Sequence, residues 1–295
     1  MELTLPAHLI FMFQKNVLLK KYTSFRIGGR TKYFFSAKTK VDLLKAINAA
    51  KKIKLPIFIL GAGSNLLLSG KMFNGVVVKI ENSACDILNS KITVGAGLPL
   101  AKLLNISAKK GMTGLEWVVG IPGTVGGAIY GNAGSFGKSM KDIVKEVEVL
   151  DIKNLTFKKF NFKNCKFNYR ESVFKKKKNL IIFSAVLRLR KGKKKQIKNK
   201  IKEYLEYKKK TQPLNFPSAG SIFKNPRGFF AGELIEKCGL KGKKIGNAKF
   251  SEKHANFIVN LGKATAEDVK KLMNLAKKSV KKKFGVVLKE EIQIF

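Results

Sequence analysis

The chain has 295 residues, 45% of them hydrophobic, which is enough to bury a large core and excludes a peptide-sized or fibrous protein. Lys and Arg total 60 against 19 for Asp and Glu, a formal charge of +41 that would suit a polyanion. The excess is nearly all lysine, in runs such as Lys175–Lys178 and Lys193–Lys195 without interleaved arginine and aromatics, so it reads as solvated surface and implies no specific nucleic-acid partner.

The first residues, MELTLPAHLIFMFQKNVLLKK, include an apolar stretch, but Glu2 precedes it, no basic region leads it and no small-residue cleavage site follows. No apolar run approaches the ~20 residues of a membrane span, so a cytoplasmic chain with no membrane partner is expected. A helix over Val41–Lys52, a strand at Pro56–Leu60, a loop at Gly61–Asn65 and a strand at Gly75–Ile80 give a mixed texture. A strand at Ile92–Val94 and a helix at Leu98–Lys109 lead into a glycine-rich run, followed by strands at Val144–Asp151 and Leu180–Leu189. Lysine dominates from Lys191 to Lys210, where Ile197, Ile201, Tyr204 and Leu205 fall on one helical face and predict a connector helix. Beyond Pro213 a smaller unit is predicted: a turn-rich Phe216–Pro226, a helix over Ala231–Cys238 stopped by Gly239, and a strand at Asn256–Asn260. Its long last helix has Thr265 and Asp268 at capping-box spacing, an apolar stripe of Val269, Leu272, Met273, Ala276 and Val280, and Gly285 as its stop. Val286–Phe295 reads as a closing strand. Cys85, Cys165 and Cys238 are widely spaced with no His cluster beside them, so they read as reduced thiols and no metal site is predicted.

Two glycine-rich segments carry the chemistry. Gly61, Ala62, Gly63, Ser64 and Asn65 follow an apolar strand, where glycines let main-chain amides approach a phosphate; a tight structural turn would use the same glycines. The run from Gly114 to Gly137 sets glycines among apolar residues with almost no charge. It suits a flat, partly apolar ligand laid along exposed main chain, such as a flavin, while a glycine-rich packing corner is the plainer reading. Glu116, Pro122 and the absence of helical periodicity argue against a membrane segment.

Several motifs occur in a fixed order: Ser24-Phe-Arg-Ile-Gly-Gly29, Gly61-Ala-Gly-Ser-Asn65, Gly120-Ile-Pro-Gly-Thr-Val-Gly-Gly127 with Asn132-Ala-Gly134, Tyr169-Arg170-Glu-Ser172, and Gly220-Ser-Ile-Phe-Lys-Asn-Pro226. This order resembles the UDP-N-acetylenolpyruvoylglucosamine reductase (MurB) family from about Lys21 to the end. The resemblance implies an α+β fold, with a two-part FAD-binding domain of the vanillyl-alcohol-oxidase (PCMH) type and a C-terminal α+β substrate-binding domain. The corresponding boundaries are residues 1–75 and 76–195 for the two FAD-binding parts and 196–285 for the connector helix and substrate domain, with 286–295 returning to the first part. It also implies non-covalent FAD, NADPH as hydride donor and UDP-N-acetylglucosamine enolpyruvate as substrate; a monomer is expected. The cofactor-binding residues carried over are Gly61, Ala62, Gly63, Ser64, Asn65, Gly120, Ile121, Pro122, Gly123, Thr124, Gly126, Gly127, Asn132, Ala133 and Gly134.

Reducing an enol ether conjugated to a carboxylate needs a cation or acid to stabilise the enolate-like carbanion and a donor to protonate it. Arg170 supplies a permanent cation with a bidentate fork, although a surface arginine is unremarkable in so basic a chain. By the resemblance Ser221 is the proton donor; by itself it reads as a turn serine after Gly220. Glu291 is selected over Glu290 by the family spacing from Leu288, and strand alternation sets the two on opposite faces. Tyr169, Lys224 and Asn225 are carried over as substrate contacts, and His254 reads equally as structural. The stretch between Arg170 and Ser221 holds little beyond the lysine-rich helix, which matches the short family form without a tyrosine-bearing lid.

Overall fold

A computed structural model describes residues 12–295, so the apolar stretch before Met12 lies outside them. The chain forms two compact units. The first comprises residues up to Val17, Thr31–Ala62 and Asn74–Leu205; the second comprises Leu18–Arg30, Gly63–Phe73 and Glu206–Phe295.

In the first unit, helix α1 (Lys40–Lys52) opens at Thr39, whose hydroxyl accepts the Asp42 N–H at 3.0 Å while Asp42 accepts the Thr39 N–H at 2.9 Å. This reciprocal box satisfies donors that have no partner within the helix. The Thr39 N–H also holds the Asp42 carboxyl below its ordinary pKa. Leu43, Ala46, Ile47 and Ala50 form the buried stripe of α1 and share a core with Val76 and Val78. Those valines belong to a sheet ordered Gln14–Leu18, Arg30–Ala37, Met72–Ile80, Ile57–Leu60, in which the last two strands are parallel. A second, antiparallel sheet runs Thr156–Asn161, Val144–Asp151, Leu180–Arg188, Lys91–Gly95, Cys85–Leu88. Helix α2 (Leu100–Lys109) adds Leu100, Leu103 and Leu104 to the same core.

The glycine-rich run, read as lacking helical periodicity, contains a short helix, α3 (Val125–Gly131). Thr124 caps its start by accepting the Gly127 N–H, Asn132 ends it at φ 44°, and Val125, Ala128 and Ile129 bury one side. Glycine's low helix propensity is overridden by these caps and by burial. A one-turn helix α4 (Val173–Lys176) follows Ser172, and α5 (Lys194–Thr211) is the predicted connector. One lysine of α5 corrects the solvated-run reading: Lys208 is only 2% exposed, and burial pushes its ammonium down to about 8.

The second unit holds an antiparallel sheet ordered Ser218–Ser221, Phe257–Asn260, Ala248–Phe250, Lys244–Ile245. Helices α6 (Ala231–Lys237) and α7 (Ala266–Phe284) supply Leu234, Ile235, Val269, Leu272, Met273, Ala276 and Val280 to its core. The Thr265–Asp268 capping box and the Gly285 stop, at φ 68°, form as predicted. The closing strand is much shorter than predicted: Gln293–Ile294 pairs in parallel with Leu66–Leu67, and Glu290 forms a single bridge with Phe223. Glu291 and Ile292 both direct their N–H groups at Ile222 O, at 2.8 and 3.5 Å, which breaks the regular ladder.

Candidate active site

Gly61 of the first glycine segment and Thr124 of the second meet within the first unit. A Cβ on Gly61 would lie 2.8 Å from Thr124 Oγ1, so the Gly61 main chain lies against the Thr124 hydroxyl with no room for a side chain. Gly120 and Gly123 have φ 70° and 142°, conformations that favour glycine. Gly126 is packed on Ala96 and donates its N–H to Ala96 O at 2.8 Å. Gly127 and Gly131 differ from these. Nothing lies within 4 Å of a Cβ built at Gly131, only Thr124 Oγ1 at 3.6 Å approaches one at Gly127, and neither residue has positive φ. Four apart on α3, they leave a bare helical face that neither backbone geometry nor internal packing requires, beside the exposed Gly120 and Pro122 and the half-buried Ile121. Glu116 is used internally, accepting from Thr113 Oγ1 at 2.6 Å and Gly114 N–H at 2.9 Å.

Arg170 sits in a two-residue turn between Asn168 and Glu171, which exchange main-chain hydrogen bonds of 3.0 and 3.1 Å. Its φ of 54° is a left-handed conformation usual for Gly or Asn, a strain that clusters at functional sites. Arg170 Nη2 donates to Gly134 O at 3.0 Å, and its guanidinium carbon lies 5.4 Å from the centre of the half-exposed Tyr169 ring. Asn132 ties the turn down: its Nδ2 donates to Asn168 O at 2.8 Å and its Oδ1 accepts the Lys141 N–H at 3.0 Å. The Asn132 side chain therefore serves the protein's own main chain. Ala133 lies between, bonded through Ala128 O and the Met140 N–H.

The second unit assembles the remaining residues. The strand Ser218–Ser221 carries an irregularity between its paired ends, with Gly220 at φ 76° in open space, a bulge of the kind that re-aims a side chain. Ser24 Oγ donates to Ser218 O at 2.7 Å, and the Ser24 N–H reaches Gly63 O at 3.3 Å. Gly63 is obligatory: at φ 61°, its Cβ would lie 2.1 Å from Tyr22 O. Next along the loop, Ser64 is half-buried and Ala62 exposed. Asn65 Nδ2 donates to Glu291 O at 3.1 Å, and Asn65 O accepts the Gln293 N–H at 3.0 Å. With Glu291 N–H on Ile222 O, the Asn65 loop, Ser221 and Glu291 are joined by main-chain bonds. Glu290 is claimed by Lys277; burial raises its pKa, but the Lys277 ammonium outweighs this and holds the carboxyl below its ordinary value.

Lys224 follows at the same bridge, its N–H on Lys289 O at 2.9 Å. Asn225 Oδ1 accepts the Ala231 N–H at 3.1 Å and so supports the start of α6, where Phe230 offers no side-chain cap. His254 Nδ1 accepts the Asn256 N–H at 3.2 Å, and its ring packs 5.0 Å from that of Phe257. Burial, with the Lys241 cation adding to it, pushes the imidazole below its ordinary pKa. This is the structural reading of His254. Two features escaped the sequence reading: the open face of Gly127 and Gly131, visible there as an i, i+4 glycine spacing, and Lys208, which continues the phase of Ile197, Ile201, Tyr204 and Leu205.

Known proteins resemble this chain over nearly its full length. Residues 31–156 match the family described as "FAD binding domain", and residues 212–295 match "UDP-N-acetylenolpyruvoylglucosamine reductase, C-terminal domain". A UDP-N-acetylenolpyruvoylglucosamine reductase of Caldanaerobacter subterraneus is 45% identical over 280 residues, 95% of this chain and 92% of that one. One from Thermotoga maritima is 43% identical over 96% of this chain and 98% of its own. The crystal structure of the Thermus caldophilus enzyme superposes with a TM-score of 0.82 at 33% identity, covering 96% of this chain and 99% of that chain. The chain belongs to the UDP-N-acetylenolpyruvoylglucosamine reductase family of FAD-dependent oxidoreductases.

Proposed function

We propose that this chain reduces UDP-N-acetylglucosamine enolpyruvate to UDP-N-acetylmuramate with NADPH as the electron source, acting as a monomer in the cytoplasm during peptidoglycan precursor synthesis. The observation that carries this reading is the main-chain bond from the Glu291 N–H to Ile222 O, next to the irregular strand that ends at Ser221. The bare face of Gly127 and Gly131 and the Gly61–Thr124 approach fit an extended flat cofactor. In this reading Gly61–Asn65, Gly120–Thr124, Gly126, Gly127 and Asn132–Gly134 hold FAD, largely through main chain. When bound, FAD supplies the hydride that adds to the terminal enolpyruvyl carbon. The functional division falls at residues 75 and 195, as the family's domain pattern implies.

Addition at that carbon pushes the double-bond electrons onto the adjacent carbon and its carboxylate. Arg170, a permanent cation, holds the carboxylate oxygens as charge grows on them. Glu291, the C-terminal acid of the family pattern, stabilises the same developing enolate. Ser221 Oγ–H protonates the carbanion carbon, and the serine recovers its proton from solvent; a weak acid suffices because the carbanion is a strong base. Tyr169 and Lys224 serve the sugar and diphosphate, with Asn225 shaping the loop that presents Lys224. Ser221→Ala tests the assignment: bleaching of the flavin by NADPH should stay within about twofold of wild type, and reoxidation by the enolpyruvyl substrate should slow at least ~100-fold, the scale of general acid catalysis. Equal loss in both half-reactions would remove Ser221 from the proton step.

A further inference from the structure

The glycine-rich run ends in a two-residue hairpin whose sequence conflicts with its geometry. Gly134–Ser135 pairs with Lys138–Ser139, leaving Phe136 and Gly137 as the turn at φ 51° and 71°. Both central residues at positive φ define a type I′ turn, whose first position favours Asn, Asp or Gly and is a true outlier for a bulky side chain. Phe136 stacks its ring on Tyr204 of α5, with centroids 3.8 Å apart and planes 7° from parallel. Lys200 Nζ stands 4.7 Å from the Tyr204 centroid, so a cation polarises the stack. The strand entering this turn starts at Gly134, whose carbonyl receives Arg170 Nη2 at 3.0 Å. Gly134 is itself wedged on the partner strand, since a Cβ there would lie 2.5 Å from Lys138 O. A rigid hairpin thus links the stack at its tip to the guanidinium at its base.

We propose that the Phe136–Tyr204 stack is a positioning device for the reaction: it fixes the hairpin whose Gly134 carbonyl orients Arg170. Phe136 and Tyr204 are positioning residues that act through Arg170, and the inference rests on the reading of Arg170 as the group that holds the substrate carboxylate. The turn conformation alone favours Asn at 136, while the Phe136 ring packs against the core and on Tyr204. The stack holds the ring there against the backbone preference and, through the hairpin, sets where Arg170 points.

The test uses the FAD-loaded protein with Phe136→Asn, Tyr204→Leu, Tyr204→Phe and Arg170→Met. FAD content is read from the flavin absorbance, stability from thermal melting, and the substrate half-reaction from reoxidation of dithionite-reduced protein by UDP-N-acetylglucosamine enolpyruvate under anaerobic conditions. Phe136→Asn trades the lost stack against a relaxed turn, so it should melt within a few degrees of wild type and keep full FAD content, yet reoxidise at least tenfold more slowly, through a lower limiting rate. Tyr204→Leu should slow to a similar degree, Tyr204→Phe should stay within about twofold of wild type, and the Phe136→Asn/Tyr204→Leu pair should be no slower than the worse single variant. Wild-type reoxidation by Phe136→Asn while Arg170→Met is slow would overturn the positioning role alone. Wild-type reoxidation by Arg170→Met would overturn the Arg170 reading and the positioning role with it. Slowing of Phe136→Asn only in proportion to lost melting temperature or lost FAD would reduce the stack to a structural one.

Discussion

Gly127→Ala separates what α3 needs for folding from what it needs for its cofactor. A methyl there meets only Thr124 Oγ1 at 3.6 Å, ordinary contact, and replaces the poorest helix former after proline. The cofactor-free protein should therefore gain about 0.5–1 kcal/mol, a rise in melting temperature of about 1–4 °C. If FAD lies against this face at main-chain distance, the same methyl intrudes on it. An overlap on the overpacking scale of about 1–3 kcal/mol weakens FAD by about 5- to 150-fold. The assay is thermal melting of FAD-stripped protein together with a titration of FAD followed by quenching of its fluorescence. The neighbouring Gly126→Ala provides contrast: its Cβ would lie 2.8 Å from Ala96 Cβ, so it should destabilise the stripped protein by about 1–3 kcal/mol. Unaltered FAD affinity in Gly127→Ala, or a lower melting temperature of its stripped form, would refute the reasoning.

Two further outcomes are expected. Lys158 and Asn179 donate to Asp151 at 2.7 and 2.8 Å, and they hold its carboxyl down at about 2. A depressed carboxylate stabilises the fold above its ordinary range near ~4, so Asp151→Asn should lower the denaturant midpoint at pH 7. That difference should close as pH falls from about 4 to about 2; a gap independent of pH would contradict the linkage. Among the thiols, Cys165 is buried and its pKa is pushed up to about 12, while Cys85 and Cys238 are half-buried. A thiol reagent should label Cys85 and Cys238 in the folded protein and Cys165 only on unfolding, read by mass spectrometry of the digested protein.

Much of the fold was legible where burial is one-sided or caps are explicit. The Thr265–Asp268 box, the apolar stripe and Gly285 define α7 by local rules alone. The three inner strands of the five-stranded sheet were visible as apolar runs, whereas its edge strand Thr156–Asn161 has Phe157 and Phe160 half-buried three apart among lysines, out of step with a period of two. The helix in the glycine run was hidden because its caps and packing, not its propensity, decide it. Asn132 and Asn225 illustrate the same limit at the site. Motif position picked them out, but only the fold reveals that their side chains hold main chain at Asn168, Lys141 and Ala231. The link from Tyr204 through Phe136 to Arg170 joins residues far apart in sequence and has no local signature.

The most direct measurement is the absorption spectrum of the purified protein through one anaerobic cycle. A bound, non-covalent FAD is expected, whose visible band bleaches on adding NADPH and returns on adding UDP-N-acetylglucosamine enolpyruvate, with UDP-N-acetylmuramate formed in equal amount. Protein that is colourless and cannot be reconstituted with FAD, or a reduced flavin that the enolpyruvyl sugar fails to reoxidise, would contradict it.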